Sequence, residues 1–285
     1  MDDILIYSAT ESDHQRDVDR VLGLLAKESL FLKPSKCEFF RAEVVFCGNV
    51  LSSEGIKPTA SKVRAMQARP SIKTAHDVQS YLGTMVWFKD FIPDYSSITE
   101  PLTRLLAKGS RWIWGTEQED AISILIHLVT SAPLLKFFDY TKETFVYSDA
   151  SDFAVGGWIG QKHNGKIHPV CYWSRKMTQA EKGYAIYDKE LLALISVVAK
   201  HGHLLRGAHF TCNTDHRALE SMQTQAKLKG RQIRWILFLQ EFDFSVVYQP
   251  AGKMRVADWL TRNPTLQSLC TKCSRPVDLN SATTF

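Results

Sequence analysis

Asp149, Glu190, Asp215 and Asp258 are the residues whose types and positions can do chemistry together. Asp149 closes the apolar run "TFVYSDAS" just before a turn, and Asp215 closes "HFTCNTD". Glu190 lies in a helical stretch beside Tyr187, Leu191 and Leu194, and Asp258 sits in "ADWL" on a short last helix. Strand ends gather at one edge of a sheet, and a helix packed across it can aim a carboxylate at the same point. Four acids brought together repel one another unless cations hold them, so the pattern calls for divalent metal. Mg²⁺, which takes hard oxygen ligands and keeps water, fits best, with Mn²⁺ as a substitute. Two such ions about 3.5–4 Å apart activate a water and stabilise the leaving oxygen of a phosphodiester. Any one of these acids has a plainer reading, an Asp capping a turn or a Glu in solvent. The combination carries the argument.

The elements that would position them follow from periodicity. Strand-length runs "TFVYSDAS", "AVGGWIGQ" and "KIHPVCYWSRK" are separated by "SDF" and by the turn "HNG". A long helix is predicted from Thr178, where Thr178 and Glu181 form a capping box, through "YAIYDKELLALISVVAKHGHLL". The strand "HFTCNTD", the basic helical segment "KLKGRQIRWILFLQEF", the strand "FSVVYQ" and the helix "RVADWLTRN", stopped by Pro264, complete the order βββ-α-β-α-β-α. Such an order suits one α/β domain. Upstream, Asp2 and Asp3 read as the turn of a hairpin with Ile4 to Tyr7 as its return strand. A helix over "ESDHQRDVDRVLGLLAKES" carries an apolar face of Val18, Val21, Leu22, Leu24 and Leu25, followed by strand-like "EFF" and "EVVFCGNVLSSEGI". From "TASKVRAMQARP" to "LTRLLAKGS" the pattern is helical, broken at Pro70 and Pro93, and a further helix runs through Ala121 to Val129.

The 285 residues, 45% hydrophobic and 23% charged, describe an ordinary globular chain. No apolar run approaches the roughly 18 residues that cross a membrane, and "MDD" is not a signal peptide, so an intracellular place, cytoplasm or nucleus, is expected. Net charge is +5, which is compatible with a polyanionic partner without demanding one. Cys37, Cys47, Cys171 and Cys212 lie in strand-like contexts and read as reduced thiols. Cys270 and Cys273 form a C-x-x-C without a second ligand pair nearby, in a tail (266–285) whose composition reads as disordered.

Taken together, "VYSDAS…GGWIGQ", "YAIYDKELLALISVVAKHGHLLRG", "CNTDH" and "YQPAGKMRVADWLTR" resemble the RNase H domain of gypsy-type LTR retrotransposon reverse transcriptases. The opening "MDDILIYS" resembles the polymerase "YxDD" hairpin. "LFLKPSKCEFFRAEVVFCGNVLSSEGIKP" resembles the palm segment before the thumb, "SYLGTMVWFKDFIPDYSSITEPLTRLL" the thumb, and "WIWGTEQEDAISILIHLVTSAPLLKFFD" the connection. The resemblance implies a partial palm over 1–56, thumb over 57–110, connection over 111–141 and RNase H over 142–265. The fold implied is a mixed five-stranded sheet with helices. It also implies that Asp149, Glu190, Asp215 and Asp258 hold the metals, and that His216 assists proton transfer or product release. Asp2 and Asp3 would be polymerase carboxylates lacking their third partner, with polymerisation lost and the reading frame begun at an in-frame Met. Tyr248 matches a family position, though a strand Tyr more often packs. Two departures stand near Asp258: Arg255 replaces the usual Asn, and Thr261 makes "LTR" of "LSR".

Lys227, Lys229, Arg231 and Arg234 form a basic segment ahead of an apolar helix anchored by Trp235, suited to tracking phosphates, while Trp112 and Trp114 read as core. The expected substrate is an RNA–DNA hybrid, recognised by 2′-hydroxyls and phosphates. The competing readings are an inactive relic that only binds nucleic acid and a supporting subunit of a fuller reverse transcriptase.

Overall fold

The computed structural model describes residues 3–68, 71–220 and 230–250. Helix α1 (Glu11–Lys27) starts where Thr10 accepts a hydrogen bond from the Asp13 N–H, but of its expected apolar face only Val18 is buried and Leu24 is exposed. Residues 3–8 form no strand, which corrects the expected hairpin return. A strand needs a ladder partner, and Ile4 to Tyr7 have none among the described residues; Ile4 and Tyr7 stand in solvent. "EFF" is likewise not a strand, for Phe40 turns the chain with φ 54°. Strands β1 (Glu43–Phe46), β2 (Asn49–Ser52) and β3 (Gly55–Pro58) form an antiparallel meander. Cys47 sits in its first turn, exposed at φ 48°, rather than in a strand.

Helices α2 (Ala60–Gln67), α3 (Ala75–Met85), α4 (Tyr95–Ile98), α5 (Glu100–Arg104) and α6 (Thr116–Thr130) follow. A 3₁₀ stretch, Val86–Phe91, links α3 to α4. The capping box of Thr74 and Asp77 starts α3. Helix α6 begins five residues before the predicted Ala121, because the Gln118 side chain accepts the Gly115 N–H. These helices share one apolar cluster that includes Val78, Met85, Phe88, Leu102, Ile122 and Leu125. Trp114 packs against it, whereas Trp112 is more exposed and stacks on Trp114 at 5.7 Å, so the pair is only half core.

The second sheet is built from β4 (Thr144–Ala150), β5 (Ala154–His163) and β6 (Lys166–Lys176), then α7 (Gln179–Lys182), α8 (Ile186–Leu205), β7 (Phe210–Thr214), α9 (Gly230–Leu239) and β8 (Phe244–Tyr248). Its order is β6-β5-β4-β7-β8, antiparallel through the first three strands and parallel through the last three. The "HNG" turn behaves as read: Asn164 and Gly165 both take positive φ, as a tight two-residue hairpin turn requires. The single long helix predicted from Thr178 is two. The capping box does form, but Gly183 ends α7 after one turn, and α8 restarts after Ala185. Arg175 makes a two-pronged pair with Glu181, at 2.8 and 2.9 Å, which fastens this short turn to β6.

Helix α8 lies across one face of the sheet, and Leu191, Leu194, Val197 and Val198 bury there with Val146, Ile159, Phe210 and Cys212. Gly157 makes the approach possible: an added methyl would lie 2.9 Å from Val197 Cγ2 and inside the Tyr147 carbonyl oxygen. On the opposite face Tyr147 stacks on Trp158 with ring centres 4.4 Å apart, Trp158 neighbours Tyr172, and Phe91 of the 3₁₀ stretch packs on Tyr172. The sheet is thus held between α8 and the helical unit. No described helix is long and apolar enough to cross a membrane.

Candidate metal centre

Register brings the first two carboxylates together. β4 and β7 run parallel, with Val146 opposite Cys212 and Tyr147 opposite Asn213. Carrying the same offset two residues further sets Asp149 beside Asp215, at the carboxyl ends of two adjacent central strands. Glu190 arrives from α8, one turn past its start, because Leu191 and Leu194 are driven into the sheet. One carboxylate oxygen from each of Asp149, Glu190 and Asp215 lies within 4.8 Å of the others. Asp149 is exposed, Asp215 half-buried and Glu190 buried, with 7% of its surface accessible.

The electrostatics of this cluster are unfavourable without a counter-charge. The Glu190 carboxyl is pushed up to about 9, chiefly by burial, then by the negative charges of Asp149 and Asp215; the Ala150 N–H works the other way. Glu190 Oε2 is fully buried and has no hydrogen-bond partner among the described residues. A buried carboxylate oxygen left unpaired costs several kcal/mol unless a proton or cation satisfies it. Three carboxylate oxygens within 4.8 Å of one another match Mg²⁺ or Mn²⁺ and do not match thiolate-seeking metals. The residues fit a divalent cation.

The loop after β4 is tied down from both sides. Asp149 Oδ1 accepts the Ala150 N–H at 2.8 Å, Ser151 Oγ accepts the N–H groups of Phe153 and Ala154, and Lys189 of α8 lies 3.8 Å from Asp152. His216 follows Asp215, its N–H donating to Thr214 Oγ1 at 3.1 Å, its ring against Tyr187 at 5.8 Å, and its buried Nδ1 without a partner among the described residues. Asp3 is exposed, far in sequence from this cluster and in no element. Tyr248 ends edge strand β8, partly exposed, with its N–H on Glu220 at 2.9 Å. Asp2, Asp258, Lys227 and Lys229, as well as Arg255, Thr261, Cys270 and Cys273, lie outside the described residues.

Sequence reading missed three participants. Asp188 is almost wholly buried and accepts from Gln232 Nε2 at 2.5 Å, with Arg231 Nε at 3.9 Å, so it clasps α9 to α8. Arg231 also lies 4.0 Å over the Tyr184 ring, which leaves Arg234 as the exposed cation of α9. The signal for this clasp was the buried-helix position of Asp188, two residues before Glu190. Asp188→Ala is expected to remove the hydrogen bond from Gln232 and the nearby Arg231 charge pairing that hold α9 on α8, and to lower stability by about 1–3 kcal/mol in urea unfolding. The third is Asp94, solvent-exposed yet with its carboxyl pushed up to about 6 by the protein crowded around it and by the charge of Asp149.

A mixed five-stranded sheet with acids at the ends of its central strands and on the crossing helix defines an RNase H-like domain. Residues 139–242 match the RNase H-like domain found in reverse transcriptase. The chain is 37% identical over 267 residues to the Transposon Tf2-3 polyprotein of Schizosaccharomyces pombe and 36% identical to the Tf2-7 polyprotein of that organism. Each alignment covers 92% of this chain, which spans only 20% of those relatives' length. Among solved structures, the foamy viral protease-reverse transcriptase dRH in complex with double-stranded DNA superposes with a TM-score of 0.69 at 22% identity, covering 85% of this chain and 44% of that one. The foamy viral protease-reverse transcriptase in complex with an RNA/DNA hybrid gives 0.67 at 22%, covering 86% and 34%. At that identity the likeness is one of fold. The mixed α/β architecture expected from the sequence is therefore found, and the chain's relatives are retrotransposon polyproteins.

Proposed function

We propose that this chain is part of a gypsy-type retroelement reverse transcriptase and that its RNase H-like domain hydrolyses the RNA strand of RNA–DNA hybrids. The observation that carries the reading is the convergence of one carboxylate oxygen each from Asp149, buried Glu190 and Asp215 to within 4.8 Å of one another. Asp149, Glu190 and Asp215 hold the metal in this account, with Asp258 as a fourth ligand. Bound there, divalent ions supply an activated water and stabilise the leaving oxygen of the phosphodiester. Glu190, whose Oε2 has no hydrogen-bond partner among the described residues, contributes a buried negative charge that a cation would balance. His216, next to Asp215 and with a buried Nδ1 that has no partner among the described residues, takes or delivers a proton beside the site.

The partner is an RNA–DNA hybrid, in keeping with the solved relative bound to one. Arg234, exposed on α9, and Lys227 and Lys229 contact phosphates, while Arg231 holds α9 in place through Asp188. In this reading residues 1–56, 57–110 and 111–141 are palm, thumb and connection portions, and 142–265 the nuclease. The test is a set of matched duplexes in Mg²⁺, with the label on RNA or on DNA. Cutting confined to the RNA strand of the hybrid, with double-stranded DNA and single-stranded RNA intact, supports the reading. Cleavage of DNA, or of all three alike, overturns it.

A further inference from the structure

The helical unit meets the nuclease sheet at one short row. Asp149 of β4 is paired with Gly156 of β5, and Gly156 with Ser174 of β6, so the three lie in line across the strands. Ser174 Oγ accepts the Ser96 N–H at 2.9 Å and donates to Ser96 Oγ at 3.1 Å. One residue on, Ser97 Oγ lies 3.3 Å from Ser151 Oγ, the hydroxyl that accepts the Phe153 and Ala154 N–H groups in the loop after Asp149. Gly156 leaves no room to shift: a methyl there would come 3.0 Å from Ser174 Cβ and from the Trp173 carbonyl.

The presenting segment is fixed as well. Asp94 follows Pro93 in the left-handed region, φ 51° and ψ 29°, and its carbonyl accepts the N–H groups of Ser97 and Ile98 at 2.9 and 3.1 Å. Ser96 is buried. Thr103 of α5 contacts Lys176 at the end of β6, and Phe91 packs on Tyr172. Below, the rings of Tyr172, Trp158 and Tyr147 run across β6, β5 and β4 to a point two residues before Asp149.

We propose that Ser96 and Ser97 of the helical unit are positioning residues, which hold the Ser174–Gly156–Asp149 row and the Ser151 loop so that Asp149 meets Glu190 and Asp215. The inference rests on the nuclease reading for its catalytic consequence, but its structural half stands apart from it. Losing the Ser97 hydroxyl alone removes one neutral hydrogen bond, a few-fold to about tenfold in the population of the ordered loop.

The experiment compares the full chain with Ser97→Ala, Ser97→Thr and the double variant Ser97→Ala/Ser174→Ala. Two readouts are taken: amide hydrogen exchange over residues 149–154 and, with hybrid, kcat and KM across a Mg²⁺ titration. Expected are faster exchange confined to 149–154 in the alanine variants, a three- to tenfold lower kcat with KM for hybrid unchanged, and a higher half-saturating Mg²⁺ concentration, all restored in Ser97→Thr. Unchanged exchange over 149–154 overturns the proposal, and so does a lowered kcat that Ser97→Thr fails to restore. If no variant and not the parent cuts hybrid, the nuclease reading fails while hydrogen exchange still decides the positioning role.

Discussion

Glu190→Gln is expected to abolish hydrolysis while making the metal-free protein more stable at pH 8. Glu190 is buried beside two carboxylates, and its pKa rises from an ordinary 4.5 to about 9 in the folded chain. Between those values the folded state holds a proton that the unfolded state has released, so metal-free stability falls as pH rises through the window. Gln is neutral throughout and removes that slope. Well below pH 4.5, where Glu190 is protonated in both states, the variant and parent should unfold at similar temperatures. At pH 8 the variant should melt higher, by about 2–4 °C for each kcal/mol recovered. Added Mg²⁺ should raise the parent's melting temperature and leave the variant's nearly unchanged, because binding to the folded state alone stabilises it by mass action. The loss of activity should exceed about a thousandfold, since a metal centre supplies several kcal/mol and each 1.36 kcal/mol is tenfold in rate. Scanning calorimetry with and without Mg²⁺ from pH 4.5 to 9 checks the stability half. A parent whose metal-free stability rises relative to Glu190→Gln across that range would contradict it.

Gly157→Ala should be the most damaging single methyl in the domain. Its Cβ would overlap the Tyr147 carbonyl oxygen and press on Val197 of α8. The oxygen is part of the β4 backbone and cannot swing aside, so either the β4–β5 ladder or the seat of α8 must open. Over-packing of this kind costs about 1–3 kcal/mol or more, and the displaced helix is the one that carries Glu190. Urea unfolding should show a clear drop in midpoint for Gly157→Ala, together with weakened Mg²⁺ stabilisation. An unperturbed midpoint would mean that α8 does not need this close approach.

Much of the RNase H-like half was legible because its signals are local. Asp149 and Asp215 each end an apolar alternating run, and parallel pairing of those runs then brings the two acids to one edge. Glu190 was legible from the stripe of Leu191 and Leu194 that fixes which way α8 rolls. The break at Gly183 was not read, since the capping box at Thr178 marks a helix start and says nothing of its length. The expected strand at Ile4 to Tyr7 failed because alternation shows a preference for a strand but cannot supply the neighbour that makes one. Ser96, Ser97 and Ser174 were invisible for another reason. Ser96 and Ser174 are 78 residues apart and are ordinary surface types in sequence, and packing of the helical unit on the sheet, with Phe91 on Tyr172 and Thr103 at Lys176, brings them into contact.

The most direct test of the central claim is cleavage of an end-labelled RNA–DNA hybrid in Mg²⁺ by the parent chain and by Asp215→Asn, each shown to be folded. Asp215 supplies one oxygen of the cluster, and its replacement keeps shape while removing charge. RNA cutting by the parent that is lost with EDTA and lost in Asp215→Asn is the predicted result. Undiminished cutting by Asp215→Asn, or no cutting by the folded parent, would contradict the account.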